Sequence, residues 1–103
     1  MEIVRWTTPS ISFKPSATTA NNITEIVLAI SQNGANIIKK FLADATIASG
    51  TFTWQLTQTE SAALTDGIEA SVRVDYLTNT GLRYTVRPQK AAVSSSALNE
   101  VLE

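Results

Sequence analysis

The chain has 103 residues, enough for one domain with a single hydrophobic core and no support from metal or disulfides. A formal net charge of −1 gives no field that would draw it to nucleic acid or a membrane surface, and no apolar run approaches the ~20 residues of a membrane-spanning helix. Cysteine and histidine are both absent, which removes disulfides, thiol nucleophiles, thiolate and imidazole metal sites and the commonest general base.

The opening MEIVRWTTPS has neither a basic segment nor an apolar run, so no Sec leader is expected. Ile3, Val4 and Trp6 predict a first short strand ending before Thr7-Thr8-Pro9. Ile11 and Phe13 predict a second, stopped by Pro15. The polar SATTANN reads as a loop. Ile23 to Ser31 is a strong strand, and the following Asn33-Gly34 is a hairpin signal of type I′. That turn, with unbroken pairing, sets Ile30 opposite Ile37 and Ile26 opposite Phe41 on one face. It sets Ala29 against Ile38 and Val27 beside Lys40 on the other.

The second face is therefore half apolar. The N-terminal strands or a second sheet are its expected cover, the former because Ile3, Val4, Trp6, Ile11 and Phe13 must themselves be buried; another subunit is the alternative. On the latter reading Val27, Ala29, Ile38 and Lys40 are the candidate interface.

A brief strand is expected within Asp44 to Ala48, before a turn at Ser49-Gly50. TFTWQLT then alternates, with Phe52, Trp54 and Leu56 inward. Thr57-Gln58-Thr59-Glu60 has the form of a capping box and starts a short helix near residues 58–65, ended by Asp66-Gly67. From Ile68 to Tyr76 apolar and polar residues alternate strictly, and the alternation resumes at Leu82, Tyr84 and Val86. Pairing Thr78 with Leu82 around Asn79-Thr80-Gly81 keeps the two faces unmixed, with Tyr76 facing Tyr84 and Asp75 facing Thr85. In this register Arg73 falls opposite Arg87. Pro88 cannot donate to a ladder, so QKAAVSSSA can prolong the strand only past an edge or a crossover. The tail from Ser96 is a short helix or frays. About seven to eight short strands and one helix define a single all-β domain over residues 1–103, an immunoglobulin-like or Greek-key β-sandwich.

No chemistry of catalysis emerges. Asp44, Glu60, Asp66, Glu69 and Asp75 could in principle pair for acid–base work, but Glu60 has a capping role, Asp66 a turn role, and Glu69 and Asp75 lie on a solvated strand face. Ser94-Ser95-Ser96 has no base nearby in sequence. Arg73, Arg83, Arg87 and Lys90 gather on one strand face, but the tyrosines fall on the other, so the stacking surface of an RNA platform is not assembled. The four glycines sit in turns and form no phosphate loop. Trp6, Trp54, Tyr76 and Tyr84 are the residue types of a sugar-binding cleft, but inward aromatics in a sandwich are core. The expectation is a non-enzymatic protein with no cofactor, metal, nucleic acid, membrane or small-molecule substrate.

RWTTPSISF, AISQNGANIIKK, WQLTQTESAAL and IEASVRV with its glycine-centred hairpin resemble, together, a family of small phage and prophage proteins from tailed phages of Gram-positive hosts. The shared features are an Arg-x-Thr-Thr-Pro opening, a Gln-Asn-Gly turn and a Leu-Thr-Gln helix start, spread from Arg5 to about Val93. The pattern is similar, more distantly, to the N-terminal immunoglobulin-like domain of phage baseplate upper proteins. Trp6 stands where that pattern has glycine, and TVRPQKAAV replaces a serine-led final strand. The resemblance implies a virion structural or assembly component of the tail or baseplate, found in the virion or in host cytoplasm during assembly. Its partners would be copies of itself or other virion proteins. A free-standing module that binds carbohydrate or a host protein is the alternative.

Overall fold

The computed structural model describes residues 1–16, 22–86, 88–95 and 101–102. Short β-branched and aromatic stretches, punctuated by turn residues, form β1 (Glu2–Val4), β2 (Ser10–Phe13), β3 (Ile23–Gln32), β4 (Ala35–Phe41), β5 (Thr46–Ala48), β6 (Thr51–Gln55), β7 (Ala70–Thr78), β8 (Arg83–Thr85) and β9 (Gln89–Ser94). One α-helix, α1 (Gln58–Ala62), lies between β6 and β7. The larger sheet has the order β1-β9-β7-β3-β4, with β8 also paired to β7, and the smaller has the order β2-β6-β5. The β1–β9 pair is parallel and the others are antiparallel. This is the expected all-β sandwich, and its strand order is that of a variable-type immunoglobulin-like domain.

The sheets bury their facing sides. Ile26, Leu28 and Ile30 of β3, Val72 and Val74 of β7 and Val93 of β9 share a core with Ile11, Phe52 and Trp54 from the smaller sheet. Antibody domains place a buried tryptophan on the central strand of the larger sheet, against an inter-sheet disulfide. Here Leu28 occupies that strand and the tryptophan comes from the opposite layer, with no cysteine in the chain. Trp54 is fully buried, and its indole N–H donates to the carbonyl of Phe41 at 3.1 Å. The bond satisfies a polar group that would otherwise be stranded in the core.

Asn33 and Gly34 both have positive φ, 51° and 79°, as a type I′ turn requires, and Gln32 pairs with Ala35. Beyond the turn the unbroken register fails. Pairing shifts by one residue between Ser31↔Asn36 and Ile30↔Ile38, which leaves Ile37 as the extra residue of a β-bulge. Every side chain of β4 after the bulge therefore changes face. Ile38 pairs with Ile30 and is 4% exposed; Phe41 pairs with Val27 and is 52% exposed. Two gains accompany the shift. Leu42 packs against the core, and Lys40 reaches the Glu60 carboxylate at 2.7 Å.

The β7–β8 hairpin keeps its expected register, with Tyr76↔Tyr84 and Asp75↔Thr85. Thr78 N–H donates to Leu82, and Gly81, at φ 81°, supplies the left-handed residue of the three-residue loop. Pro88 lies in the break between β8 and β9, both of which pair with β7. Past the break β9 also takes up β1. The expected pairing partner of Arg73, Arg87, lies outside the described residues, as do the Ser96 helix start and most of the SATTANN loop.

The first strand is shorter than expected because Trp6 turns the chain. Its φ of 67° is a left-handed conformation that costs a non-glycine residue on the order of 1 kcal/mol or more. The helix is also shorter than expected. Its capping box forms, with Thr57 Oγ1 accepting from Glu60 N–H at 3.1 Å and Glu60 Oε1 from Thr57 N–H at 2.8 Å. After Ala62 the backbone is held instead by the buried Gln32 amide, which donates to the Thr65 and Ile68 carbonyls and accepts from Thr65 N–H.

Replacing Gly34 by valine forces a β-branched residue into positive φ at a place where its Cβ meets nothing within 4 Å. The cost is therefore backbone strain alone, about 1 kcal/mol or more. Denaturant titration of Gly34→Val should show a lowered midpoint with an unchanged slope; an unchanged midpoint would contradict the type I′ turn.

Candidate functional site: the outer face of the larger sheet

The smaller sheet covers the inner face of β3 and β4, and β2, which carries Ile11 and Phe13, belongs to that cover. The expectation that the N-terminal strands shield the other face is not met, since β1 pairs at the far edge beyond β9. The outer face of β4, β3, β7 and β8 is left as a shallow open trough of about 490 Å3, whose lining includes Val27, Ala29, Lys39, Phe41, Arg73 and Leu77.

Cross-strand pairing arranges this face in rows. Phe41, Val27, Asp75 and Thr85 form one row across β4, β3, β7 and β8. Lys39, Ala29 and Arg73 form the next toward the Asn33-Gly34 turn, and Glu25, Leu77 and Arg83 the row on the opposite side. The central row is apolar at Phe41 and Val27 and polar at Asp75 and Thr85, and each flanking row carries charge at its ends.

The bulge redistributes the residues expected at an interface. Val27 and Ala29 are on the outer face, as the alternation of β3 requires. Ile38 and Lys40 are not: Ile38 is core, and Lys40 points inward with its ammonium on Glu60. Lys39 and Phe41 take their places. Glu25 was legible from its position two residues before Val27, and Leu77 and Arg83 from the β7–β8 register. Phe41 and Lys39 carry no signal without knowledge of the bulge.

The cations beside the trough are partly neutralised. Arg83 donates to Asp75 Oδ2 at 2.9 Å, and the Arg73 Nε stands 3.9 Å from Oδ1. The longer distance is an ion pair without a hydrogen bond, which leaves Oδ1 buried and unbonded. Lys90, on β9 and outside the trough lining, pairs with Glu69 at 3.4 Å. The tyrosines lie on the inner side, where Phe13, Tyr76 and Tyr84 stack in series with centroids 5.8 and 5.3 Å apart. The tyrosines and the arginines are thus on opposite faces, as the alternation indicated.

Asp44, Asp66 and Glu60 have structural partners. Asp44 accepts from Phe41 N–H at 2.9 Å, and Asp66 from the Ser95 hydroxyl at 3.0 Å. Glu60 serves both the helix cap and Lys40. Burial alone would raise its pKa, but the Lys40 and Thr57 hydrogen bonds and the Lys40 charge outweigh this and hold it below the ordinary value. Among the described residues no group of three or more acidic side chains is placed to hold a metal ion, and no helix is long and apolar enough to cross a membrane.

No family model matches the sequence, and no curated protein matches it. Among solved structures, the chain is similar to the immunoglobulin-like domain of mouse leukocyte-associated immunoglobulin-like receptor 1, crystallised as a strand-swapped dimer. The TM-score is 0.53 over 90% of this chain and 85% of that one, at 11% identity. The likeness agrees with the strand order in defining an immunoglobulin-like β-sandwich, and at that identity it speaks to fold alone.

Because the Glu60 pKa is depressed on folding, its contribution is present above the unfolded value near 4.5 and lost as pH falls through the folded value. Lys40→Met should lower stability at neutral pH and flatten the acid limb of the stability curve below about pH 4.5. Parallel acid limbs for the two proteins, followed by denaturation at stepped pH, would contradict the pairing.

Proposed function

We propose that this chain is a non-enzymatic protein–protein module and a structural component of a phage or prophage virion, in its tail or baseplate. The observation that carries the contact role is the open outer face: Phe41, at the end of the edge strand β4, is 52% exposed beside Val27, on a sheet face that no other part of the described chain covers. A solvent-exposed aromatic beside aliphatic side chains and rimmed by charge has the anatomy of a binding patch. The virion assignment rests on the resemblance of the Arg5–Val93 motifs. Those motifs are turns, a helix cap and core alternation, which suits a part whose work is to keep a shape. Copies of the chain or neighbouring virion proteins are the partners, in the particle or in host cytoplasm before assembly.

Mass spectrometry of virions purified from an induced lysogen tests this directly. The expected result is the chain at a fixed ratio to tail proteins after density-gradient purification. A chain abundant in the lysate but absent from intact particles would refute the virion role. It would favour instead a free-standing module for carbohydrate or a host protein.

A further inference from the structure

The charges around the trough form a pattern that becomes complementary when it is reversed. Glu25 and Lys39 are exposed and have no ion-pair partner among the described residues. Glu25 precedes Val27 by two residues on β3, and Lys39 precedes Phe41 by two on the antiparallel β4. They therefore lie on opposite sides of the Phe41–Val27 row. Four residue steps, about 13 Å, separate their rows along the strands. On Lys39's side the row reads Lys39, Ala29, Arg73, with a small side chain between two cations. The two cations stand on strands two spacings, about 9.6 Å, apart, which leaves a positively charged opening over Ala29 for a carboxylate.

A two-fold axis in the plane of contact, crossing the strands at the Phe41–Val27 row, inverts the order of the rows and keeps the order of the strands. It sets Phe41 on Phe41 and Val27 on Val27. It also brings Glu25 of each copy over Ala29 of the other, between Lys39 and Arg73. The stem of Arg73 then covers Leu77 across the axis. Asp75 is the one like-charged group brought near its own copy, and Arg83 and Arg73 already neutralise it.

Building on the contact role proposed above, we propose that the partner of this face is the same face of a second copy, packed sheet on sheet about that axis with two reciprocal Glu25–Lys39/Arg73 contacts. The contact is isologous and closes on itself, so it yields a dimer and no fibre. The two sheets pack at the angle of about 30° usual for aligned sheets.

Sedimentation equilibrium of the full chain, from micromolar to millimolar concentration, tests the proposal, with circular dichroism verifying that each variant folds. The unaltered chain should dimerise. Glu25→Lys places three cations together and should weaken association about tenfold or more, and Lys39→Glu should weaken it less. Mixing the two variants should restore association, because the Glu25 that Lys39→Glu retains meets the intact opening of Glu25→Lys. Concentration-dependent NMR shifts at Val27, Ala29 and Phe41 of the unaltered chain read the same contact without substitution. A strict monomer would overturn the proposal, and so would variants that associate like the unaltered chain or fail to recover on mixing. Association indifferent to these charges would point to another surface, such as the β4 edge, and would leave the contact role standing. The virion experiment is independent of all these outcomes.

Discussion

One extra residue in β4 decides how the two faces of the larger sheet are built. Without the bulge at Ile37, Lys39 would point toward the core and Phe41 would stand opposite Ile26 on the inner face. With it, Ile38 joins Ile30 in the core, Leu42 follows, and Lys40 runs inward to the carboxylate that caps α1. The Phe41 carbonyl accepts the indole N–H of Trp54, the largest buried side chain in the molecule. The bulge thus couples an edge strand of one sheet to the central strand of the other. The same step expels the Phe41 ring to the outside, so core packing and the exposed apolar row have a single geometric origin.

The edge position explains why such a device is tolerated. β4 is the last strand of its sheet, and an unpaired edge is a site where a second chain can add. A bulge and two consecutive lysines, Lys39 and Lys40, both discourage edge-to-edge pairing. The hairpin therefore blocks one mode of association while presenting a face suited to another. Rows of apolar residues flanked by charge favour a partner that lies across the strands and disfavour one that extends the sheet.

Much of this fold was legible in the sequence. The strict alternation from Ile68 to Tyr76 and from Leu82 to Val86 fixes which face each residue takes, and Asn79-Thr80-Gly81 fixes the loop, so that hairpin needed no structure. The capping box and the Asn33-Gly34 turn were equally direct, because each depends on chemistry within a few residues. What escaped depends on contacts far apart in the chain. Ile37 and Ile38 are adjacent and identical, so no pattern of hydrophobicity can say which one is buried. Gln32 reads as a polar residue before a turn, and only the packed structure brings it to Thr65 and Ile68. Trp6 follows a strand pattern yet sits at positive φ, the kind of position for which only glycine is a local signal. The candidate interface shared this fate: Val27 and Ala29 were placed by β3 alone, whereas Ile38 and Lys40 were misplaced by a register that the bulge breaks.

The most direct test of the bulged register compares Ile37→Asp with Ile38→Asp in equilibrium denaturation. A charge at residue 38 enters the core beside Ile30, where a buried unpaired carboxylate is strongly destabilising. A charge at residue 37, already 39% exposed, meets solvent. The account predicts that Ile38→Asp unfolds the domain or lowers its midpoint severely, while Ile37→Asp stays close to the unaltered protein. The reverse order, with residue 37 intolerant and residue 38 indifferent, would restore the unbroken hairpin and place Phe41 in the core.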